Sequence, residues 1–302
     1  MQRTAYLLLM LTTLFWGGNA VAGKLAVGHI SPFLLTSFRW GFAMVVLILI
    51  GHRRLRADWP TARRHLPLLF ALGATGFTLF NATMYSALHY TSAINVSIEQ
   101  AAVPMFIFLA NFLLFRTGVT WIQIGGFALT IVGVALTASN GDLARLAGLQ
   151  VNLGDALMIL AIVFYGGYTV ALRFKPQLHW QSLMIVLVTS AFIASIPFSL
   201  FEWQRDTMIL PDLRGWAIAI YAGIFPSILS QVFYIRGVEI IGSNRASLFI
   251  NLVPIWGTLL SVLVLGEFFQ LYHAVALLLV MGGIWIAENS GRKAAAEAFR
   301  NP

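Results

Sequence analysis

The sequence predicts an all-α integral membrane protein whose ten transmembrane helices form two inverted repeats of five helices each. Three observations support this prediction. First, 59% of the residues are hydrophobic and only 10% are charged, whereas about 25% are charged in soluble domains. Second, the apolar runs are about 20 residues long, the length that a helix needs to cross a bilayer. Third, the two halves of the chain resemble each other.

Ten apolar segments separated by short polar loops predict the ten helices. Runs such as AMVVLILI (43–50) do not alternate in polarity, which argues against the strands of an outer-membrane barrel, which are about 10 residues long. The longest predicted loops are 51–65 and 140–152. The predicted spans cover residues 5–27, 32–50, 66–88, 93–115, 120–139, 153–173, 181–201, 213–235, 243–265 and 270–288.

The basic residues lie mostly on one side of the predicted membrane. With the N-terminus inside, only Lys24, Arg145, Arg205 and Arg214 lie outside, and Arg39 lies within a span. This positive-inside distribution predicts a multi-pass protein of the bacterial inner membrane with both termini in the cytoplasm. It also explains the net charge of +8, so nucleic acid is not an expected partner. The inner residues are Arg3, Arg53, Arg54, Arg56, Arg63, Arg64, Arg116, Arg173, Lys175, Arg236, Arg245, Arg292, Lys293 and Arg300.

Two pairs of segments carry the internal repeat. FWGGNAVAGK (15–24) resembles FYGGYTVALR (164–173), and SIEQAAVPMFIFL (97–109) resembles SLFINLVPIWGTL (247–259). Because five spans are an odd number, the second copy enters the membrane from the opposite side, as in many secondary transporters. The predicted units are an N-terminal repeat (1–139), an external linker (140–152), a C-terminal repeat (153–289) and a cytoplasmic tail (290–302).

The repeat also argues against two patterns in the first span. Residues 1–22 end in AVA, which fits a signal-peptidase site. GNAVAGKL (18–25) differs from a Walker A loop only in having Leu25 where Ser or Thr is required. A cleavage site has no reason to recur near residue 171, and the second copy has Leu172 and Arg173 in place of Gly-Lys. We therefore interpret both patterns as parts of membrane helices.

The motifs of this chain resemble a known family. FWGGN…K in the first span, P…FR (Pro32–Arg39) in the second, and the prolines of the fourth and ninth spans are similar to the EamA branch of the drug/metabolite transporter superfamily. Within that branch the chain most resembles the YddG-type bacterial exporters of aromatic amino acids. The resemblance implies a 5+5 helical fold and export of small amphipathic metabolites by alternating access.

Polar and aromatic residues near the centres of the spans are the candidate substrate-binding residues. Polar side chains are costly in lipid, so they usually face a cavity or a protein partner. Aromatic walls suit a planar side chain, and amides suit the zwitterionic end of an amino acid. The candidates are Trp16, Asn19, Asn81, Tyr85, Glu99, Gln100, Tyr165, Tyr168, Gln231, Tyr234, Asn251 and Trp256.

Several of these residues also have a purely structural interpretation. The amides of Asn81 and Gln231, which match in the repeat, could only join helices. Likewise, the glycines at 17–18 and 166–167 fit close helix packing. Pro104 and Pro254 are predicted to kink their helices and to act either as hinges or as static bends. Near opposite membrane faces, Lys24 and Arg173 are either gates or residues that extend to the headgroups.

Glu99 is the one acid that the sequence places well inside a span. Its charge would be costly there unless neutralised. One interpretation is a proton-coupling carboxyl or a group that binds a substrate ammonium. The other is structural: either a pair with Arg39, which lies at a similar depth in the second span, or a protonated, hydrogen-bonded acid.

The alternatives are a carrier of another solute class, for drug or metabolite efflux, a membrane-embedded enzyme, a channel and a purely structural membrane protein. An enzyme would need a catalytic constellation, but the six histidines are scattered and there is no H-E-x-x-H motif. A channel usually needs a ring of like ligands from several subunits. With no cysteine in the chain, thiolate metal sites are excluded. We therefore expect a transporter rather than an enzyme, with no cofactor and no metal, for which a monomer suffices.

Overall fold

A computed structural model of the chain describes residues 2–116, 120–142 and 152–300. All regular elements in these residues are helices, and eight segments are long and apolar enough to cross a membrane, one of which, Ala93–Phe115, consists of two helices; Val253–Leu265 and Leu271–Ala287 are shorter apolar segments. The predicted all-α membrane class is thereby confirmed for the described residues. The helices are α1 (Gln2–Ala26), α2 (Pro32–Arg64), α3 (Leu66–Ala87), α4 (Ala93–Gln100), α5 (Val103–Phe115), α6 (Trp121–Ala138), α7 (Leu153–Ala171), α8 (Trp180–Gln204), α9 (Leu213–Ile241), α10 (Ser243–Ile250), α11 (Val253–Leu265) and α12 (Leu271–Arg300).

Helix α2 differs from its prediction because it continues to Arg64. The prediction of a loop over residues 51–65 was therefore wrong. This basic segment is mostly exposed, and it continues the helix because arginine, leucine and alanine are good helix formers. The extension is held against α8, where Asp58 Oδ2 accepts the backbone N–H of His179 at 2.9 Å.

The fourth and ninth spans are broken rather than kinked. The helix stops at Ala101–Ala102 between α4 and α5, and at Asn251–Leu252 between α10 and α11. These breaks are 150 residues apart, the offset at which the sequence repeats. Each is followed by a proline, Pro104 or Pro254, in the first turn of the next helix. A proline costs little there because the first turn has no intrahelical acceptor for its missing N–H.

The third and eighth spans each contain a π-helical turn, at Ala74–Leu79 in α3 and Phe225–Leu229 in α9. A π turn adds a residue to the helical turn and rotates the side chains that follow it, and such turns are frequent at functional sites. Asn81 lies just after the first turn, and Ser227 lies within the second. Both side chains are buried and contribute to the polar site described below.

Three groups of buried apolar side chains hold the helices together. The first joins α1, α2, α3 and α7 and includes Tyr85 and Met158. The second joins α2, α3, α7 and α8 and includes Leu187. The third joins α4, α5 and α12 and includes Ile94 and Val280. Lipid tails are as apolar as these side chains, so the contacts stabilise the bundle through close packing rather than through exclusion of water.

Helices α6 and α12 pack closely against each other beside the third group. A Cβ at Gly126 would lie 2.5 Å from the carbonyl oxygen of Gly283, so no other residue fits without moving a backbone. Small residues at such crossings are typical of membrane helices, because they allow the helix axes to approach. The linker residues 143–151 lie outside the described part of the chain. Helix α12 extends to Arg300 through most of the predicted tail.

Two glutamates cap the N-termini of other helices. Glu202, at the end of α8, accepts the N–H groups of Phe33 and Leu34 at 3.0 and 3.1 Å and the hydroxyl of Ser31 at 2.6 Å. Glu267, before α12, accepts the first two N–H groups of α4 at 2.8 and 2.9 Å. A carboxylate is favourable there because the helix dipole is positive and the first N–H groups have no intrahelical acceptor.

A third cap lies in the connections on the predicted outer side. Asp212 Oδ1 accepts the N–H of Gly215 at 2.8 Å, and Asp212 Oδ2 lies 2.7 Å from His29 Nδ1. The hydrogen bond from Gly215, and then that from His29, hold the pKa of Asp212 below its usual value. The pair joins the α1–α2 connection to the start of α9.

We expect Glu202→Ala to destabilise the protein by about 2 kcal/mol, since buried donors that lose their acceptor cost 1–3 kcal/mol. Glu202 is 5% exposed, so water does not replace it freely. Thermal unfolding in detergent measures the effect. Glu239→Ala is the control, because the exposed Arg236–Glu239 pair at 2.8 Å contributes about 0–1 kcal/mol. Equal unfolding temperatures for the two variants would contradict the capping role.

Candidate functional site

The most polar place inside the bundle is centred on the guanidinium of Arg39, which is 5% exposed on α2. Nη1 of Arg39 lies 2.8 Å from Asn19 Oδ1, 2.6 Å from Asn81 Oδ1 and 2.6 Å from the hydroxyl of Tyr85. Nε donates to Ser227 Oγ at 2.8 Å. These five residues, from α1, α2, α3 and α9, are called the polar centre below. In the polar centre, side chains from four helices meet at one cation.

All the partners of Arg39 in the polar centre are uncharged. Within the described residues, no acidic side chain pairs with Arg39, and Nη2 donates no hydrogen bond. The predicted Arg39–Glu99 pair is therefore wrong. Glu99 lies on α4, and its carboxyl group has no hydrogen-bond partner in the described part of the chain. A buried guanidinium without an anion is costly, so this place favours a negatively charged ligand group.

Local structure explains why these side chains converge. Asn81 is held in place by its own helix, α3. Asn19 of α1 is held in place by a residue of the neighbouring helix α3. Asn81 Nδ2 donates to the carbonyl of Phe77 at 2.7 Å, which turns Oδ1 toward Arg39. Tyr85 lies one helical turn after Asn81, and its hydroxyl donates to Asn19 Oδ1 at 2.9 Å. Ser227 donates to the carbonyl of Ala222 at 2.8 Å across the π turn of α9.

Aromatic side chains lie beside the polar centre, one turn further toward the predicted inner side. Phe80 of α3 lies 4.9 Å from Tyr165 of α7, and Tyr165 lies 5.6 Å from Tyr168, measured between ring centroids. Trp16 of α1 lies 5.7 Å from Tyr234 of α9. These separations are typical of favourable ring contacts. The five residues, called the aromatic group below, therefore include four of the predicted candidates.

A cavity of about 370 Å³ opens between α1, α9 and α11. Arg214 lies at its predicted outer end, and Gly18 and Tyr221 lie deeper in it. Tyr221 interacts electrostatically with Arg39 and Tyr85, so the cavity approaches the polar centre from the predicted outer side. A Cβ at Gly18 would lie 2.5 Å from the Tyr221 hydroxyl, so the glycine makes room for that ring.

The remaining candidates lie away from the polar centre. Gln100 ends α4, and Asn251 lies at the break before α11. Gln231 is half-buried on α9, one turn before Tyr234. It makes no hydrogen bond to Asn81 among the described residues, so the two amides do not form an interhelical pair. Trp256 of α11 has a buried Nε1 without a hydrogen-bond partner among the described residues. An unpaired buried donor is costly unless a ligand uses it.

The two candidate gate residues both form hydrogen bonds to neighbouring parts of the bundle. Lys24 Nζ donates to the carbonyls of Leu88 and Thr91 at 2.8 and 2.7 Å, which joins α1 to the α3–α4 connection. Arg173 Nη2 donates to Asn111 Oδ1 at 3.2 Å, and its guanidinium lies 3.6 Å from the ring centroid of Phe115. The contacts lie at opposite ends of the bundle.

Sequence reasoning missed Ser227 and Tyr221, and it assigned Arg39 only a structural partner. Serine and tyrosine in an apolar helix are too common to single out. The signal for Arg39 was present, because a mid-span arginine always needs partners. What the sequence lacked was the rotation of α3 and α9 set by their π turns, which brings Asn81 and Ser227 to the same cation.

The comparison with known proteins divides this chain into the same two halves as the sequence repeat. Residues 3–139 and residues 152–288 each match the model of the EamA-like transporter family. Among curated proteins, the Uncharacterized transporter YetK of Bacillus subtilis is 24% identical over 94% of this chain and 87% of its own length. An Uncharacterized transporter of Archaeoglobus fulgidus is 26% identical over 93% of this chain and 97% of its own length.

A solved crystal structure has a TM-score of 0.63 with this chain. The alignment covers 97% of this chain and 99% of that one, at 20% identity. At this identity the likeness concerns the fold alone. The family match is more informative because it covers nearly the whole chain in two copies. On this evidence the chain is a multi-pass membrane protein that belongs to the EamA-like transporter family.

Proposed function

We propose that this protein is a secondary transporter of small amphipathic metabolites and that aromatic amino acids are its substrates. The observation that carries the proposal is Arg39, a buried cation with only neutral partners beside a group of aromatic rings. A free amino acid has a carboxylate for the guanidinium. An aromatic amino acid also has a ring that fits the aromatic group. Family membership supports transport of a small solute across a membrane.

The carboxylate would bind where Arg39 has donors to spare. Nη1 is shared among three oxygen atoms but has only two hydrogens, and Nη2 donates no hydrogen bond among the described residues. A carboxylate bound at Nη2 would accept charge-assisted hydrogen bonds, which are about twice as strong as those between neutral groups. The guanidinium would then contact the amino acid, and its position would be held by Asn19, Asn81 and Tyr85.

The side chain of the substrate would lie among Trp16, Tyr165 and Tyr234. These rings come from α1, α7 and α9, so they belong to both halves of the chain. Offset and edge contacts of the kind seen within this group stabilise an additional ring by about 0.5–1.5 kcal/mol beyond burial. The unpaired Nε1 of Trp256, whose Cβ is adjacent to Gly17, is a further donor close to this group.

Alternating access around this site follows from the repeat. Two related halves of opposite orientation have two related packings, which open the central site to one side and then to the other. The contacts of Lys24 and Arg173 at opposite ends of the bundle would open in turn. We infer export from the bacterial inner membrane, with cytoplasmic termini, from the positive-inside pattern and from the family resemblance. One chain contains both halves, so a monomer suffices.

Counterflow in liposomes tests the proposal. Purified protein is reconstituted in liposomes loaded with unlabelled phenylalanine, and uptake of labelled phenylalanine is followed. We expect saturable uptake that tryptophan inhibits more strongly than leucine and that lysine does not inhibit. Liposomes without protein are the control. Saturable uptake of another solute class, with no competition by aromatic amino acids, would contradict the substrate assignment. Unsaturable flux would indicate a channel.

A further inference from the structure

A second polar cluster lies between α4, α7 and α12 and is separate from the polar centre. It contains the carboxyl groups of Glu99 on α4 and Asp155 on α7, both of which are 0% exposed. Asn95 lies one turn before Glu99 on α4 and is joined to Asp155 through Thr91, which places both acids in one cluster. Sequence reasoning placed only Glu99 inside the membrane, because Asp155 is near the start of its span. The fold brings a second buried acid to the first.

Three oxygen atoms in this cluster have no hydrogen-bond partner among the described residues. They are both carboxyl oxygens of Glu99 and Oδ2 of Asp155. Two ionised carboxylates would repel each other here, and burying even one unpaired charge costs several kcal/mol. Among the described residues, no ion pair to either acid offsets this cost. The arrangement therefore requires a cation that the protein itself does not supply.

The other oxygen of Asp155 is held by a chain of hydrogen bonds. Thr91 Oγ1 donates to Asp155 Oδ1 at 2.6 Å and accepts from Asn95 Nδ2 at 3.2 Å. Asn95 Oδ1 lies 3.2 Å from Nε2 of His273 on α12. Nδ1 of this histidine accepts the backbone N–H of Gln270 at 3.0 Å. The hydrogen of the neutral ring is therefore on Nε2 and points to Asn95.

In the described part of the chain, no basic side chain forms an ion pair with either acid. Lys24 of α1 donates instead to the carbonyls of Leu88 and Thr91. The described parts of α5, α6 and α11 contribute no titratable group to this cluster. The titratable and charged groups on the facing elements include Lys24, Tyr85, His89, Tyr165, Tyr168, Glu267, Tyr272 and His273.

We propose that Glu99 and Asp155 form a proton-binding site that couples proton movement to transport. A proton from water on one side adds to an unpaired oxygen of the pair, and it leaves to water on the other side when the two halves change packing. A metal ion would need a shell of several ligands, and no group of three His, Asp or Glu side chains suited to a metal occurs in the described ranges. The coupling, though not the site itself, rests on the transport function proposed above.

Infrared spectroscopy tests the site without any substrate. Purified wild-type protein at neutral pH is expected to have the C=O band of a protonated carboxylic acid, and carbon-13 labelling of glutamate is expected to shift it. Glu99→Gln and Asp155→Asn together are expected to remove the band. Glu239→Gln is the matched control, because Glu239 is exposed and pairs with Arg236. A wild-type spectrum without this band, or a band that the double variant keeps, would overturn the proposal.

Proton flux tests the coupling. Liposomes containing the protein and a pH-sensitive dye are exposed to a phenylalanine gradient, and the internal pH is followed. We expect wild type and Glu239→Gln to move protons with the substrate. Glu99→Gln and Asp155→Asn are expected to lose this flux and the effect of a pH gradient on uptake, while they still exchange phenylalanine at equal pH. That exchange demonstrates that the variants are folded.

The outcomes separate this inference from the proposed function. A protonated carboxyl band in a protein that does not transport phenylalanine would support the proton site and contradict the substrate assignment. Phenylalanine transport that no pH gradient affects, in wild type as in the variants, would overturn the coupling and leave the proposed function intact. Transport driven by a sodium gradient instead of a pH gradient would also overturn the proposed proton coupling.

Discussion

Arg39→Gln is expected to weaken the binding of carboxylate substrates by about 30-fold or more, since removing one partner of a buried charge pair costs about 2–5 kcal/mol and each 1.4 kcal/mol is tenfold in affinity. Glutamine keeps a donor for Asn19 and Asn81 but has no charge. Arg39→Lys is expected to fall between glutamine and wild type, because lysine keeps the charge and loses the forked geometry of the guanidinium.

The measurement must distinguish contact between Arg39 and the substrate from a purely structural role of Arg39. Competition with labelled phenylalanine is measured for 3-phenylpropionate and for its neutral amide, which have the same shape. In the wild type we expect the acid to compete much better than the amide, and in Arg39→Gln we expect this difference to disappear. Arg236→Gln is the control, since Arg236 is 68% exposed. If both competitors weaken equally in Arg39→Gln, Arg39 only supports the fold.

Gly17→Ala is expected to abolish transport, because α1 and α11 are in contact at this residue. An added Cβ would lie 2.7 Å from the backbone nitrogen of Gly257 and 2.8 Å from the carbonyl oxygen of Val253. Backbone atoms cannot move aside, so the two helices must separate. Overpacking of this kind costs about 1–3 kcal/mol. It would also move Trp16 and Asn19, the neighbours of Gly17 on α1.

Gly167→Ala provides the matched control within the related segment of the second repeat. No atom lies within 4 Å of a Cβ added at Gly167. Alanine is the better helix former, so this variant is expected to be as stable as wild type or more stable by about 0.5–1 kcal/mol. Counterflow and thermal unfolding are measured for both variants. If Gly17→Ala is as active and as stable as wild type, the contact between α1 and α11 has no role in transport. If both variants lose activity, helix flexibility rather than packing is what matters.

The close approach at Gly17 confirms one of the structural interpretations made from the sequence. The glycines of the first repeat segment were expected to permit close packing, and Gly17 and Gly18 both lie against neighbouring helices. In the second segment, Gly166 lies against the ring of Phe106 but Gly167 faces open space. The sequence could not separate these cases, because the same residue type serves packing at one position and has no neighbour at another.

The breaks in the fourth and ninth spans were only partly predictable. Pro104 and Pro254 indicated distortion, and both helices are interrupted close to these residues. A kink was the expected form. The break occurs instead because each proline starts a new helix, in which its missing N–H needs no acceptor. A proline pattern therefore indicates where a helix is disturbed, but the neighbouring helices decide whether it bends or stops.

The two buried charges illustrate the limit of sequence reasoning about the site. Arg39 and Glu99 lie at similar depths, so a pair was a reasonable expectation. In the structure, Arg39 faces α1, α3 and α9, whereas Glu99 faces Asp155 of α7. Depth follows from position along a span, but the direction of a side chain depends on helix rotation. Rotation is set by packing and by the π turns.

The sequence by itself determined the membrane class, the approximate spans and the internal repeat, because these depend on hydrophobicity along the chain. Each helix must satisfy its own backbone in lipid, so an apolar run of the right length has few alternatives. Only the tertiary structure decided which side chains meet. The partners of Arg39 are 20, 42, 46 and 188 residues away in the chain. Helical periodicity indicates which residues share a face, but only packing decides which face meets which.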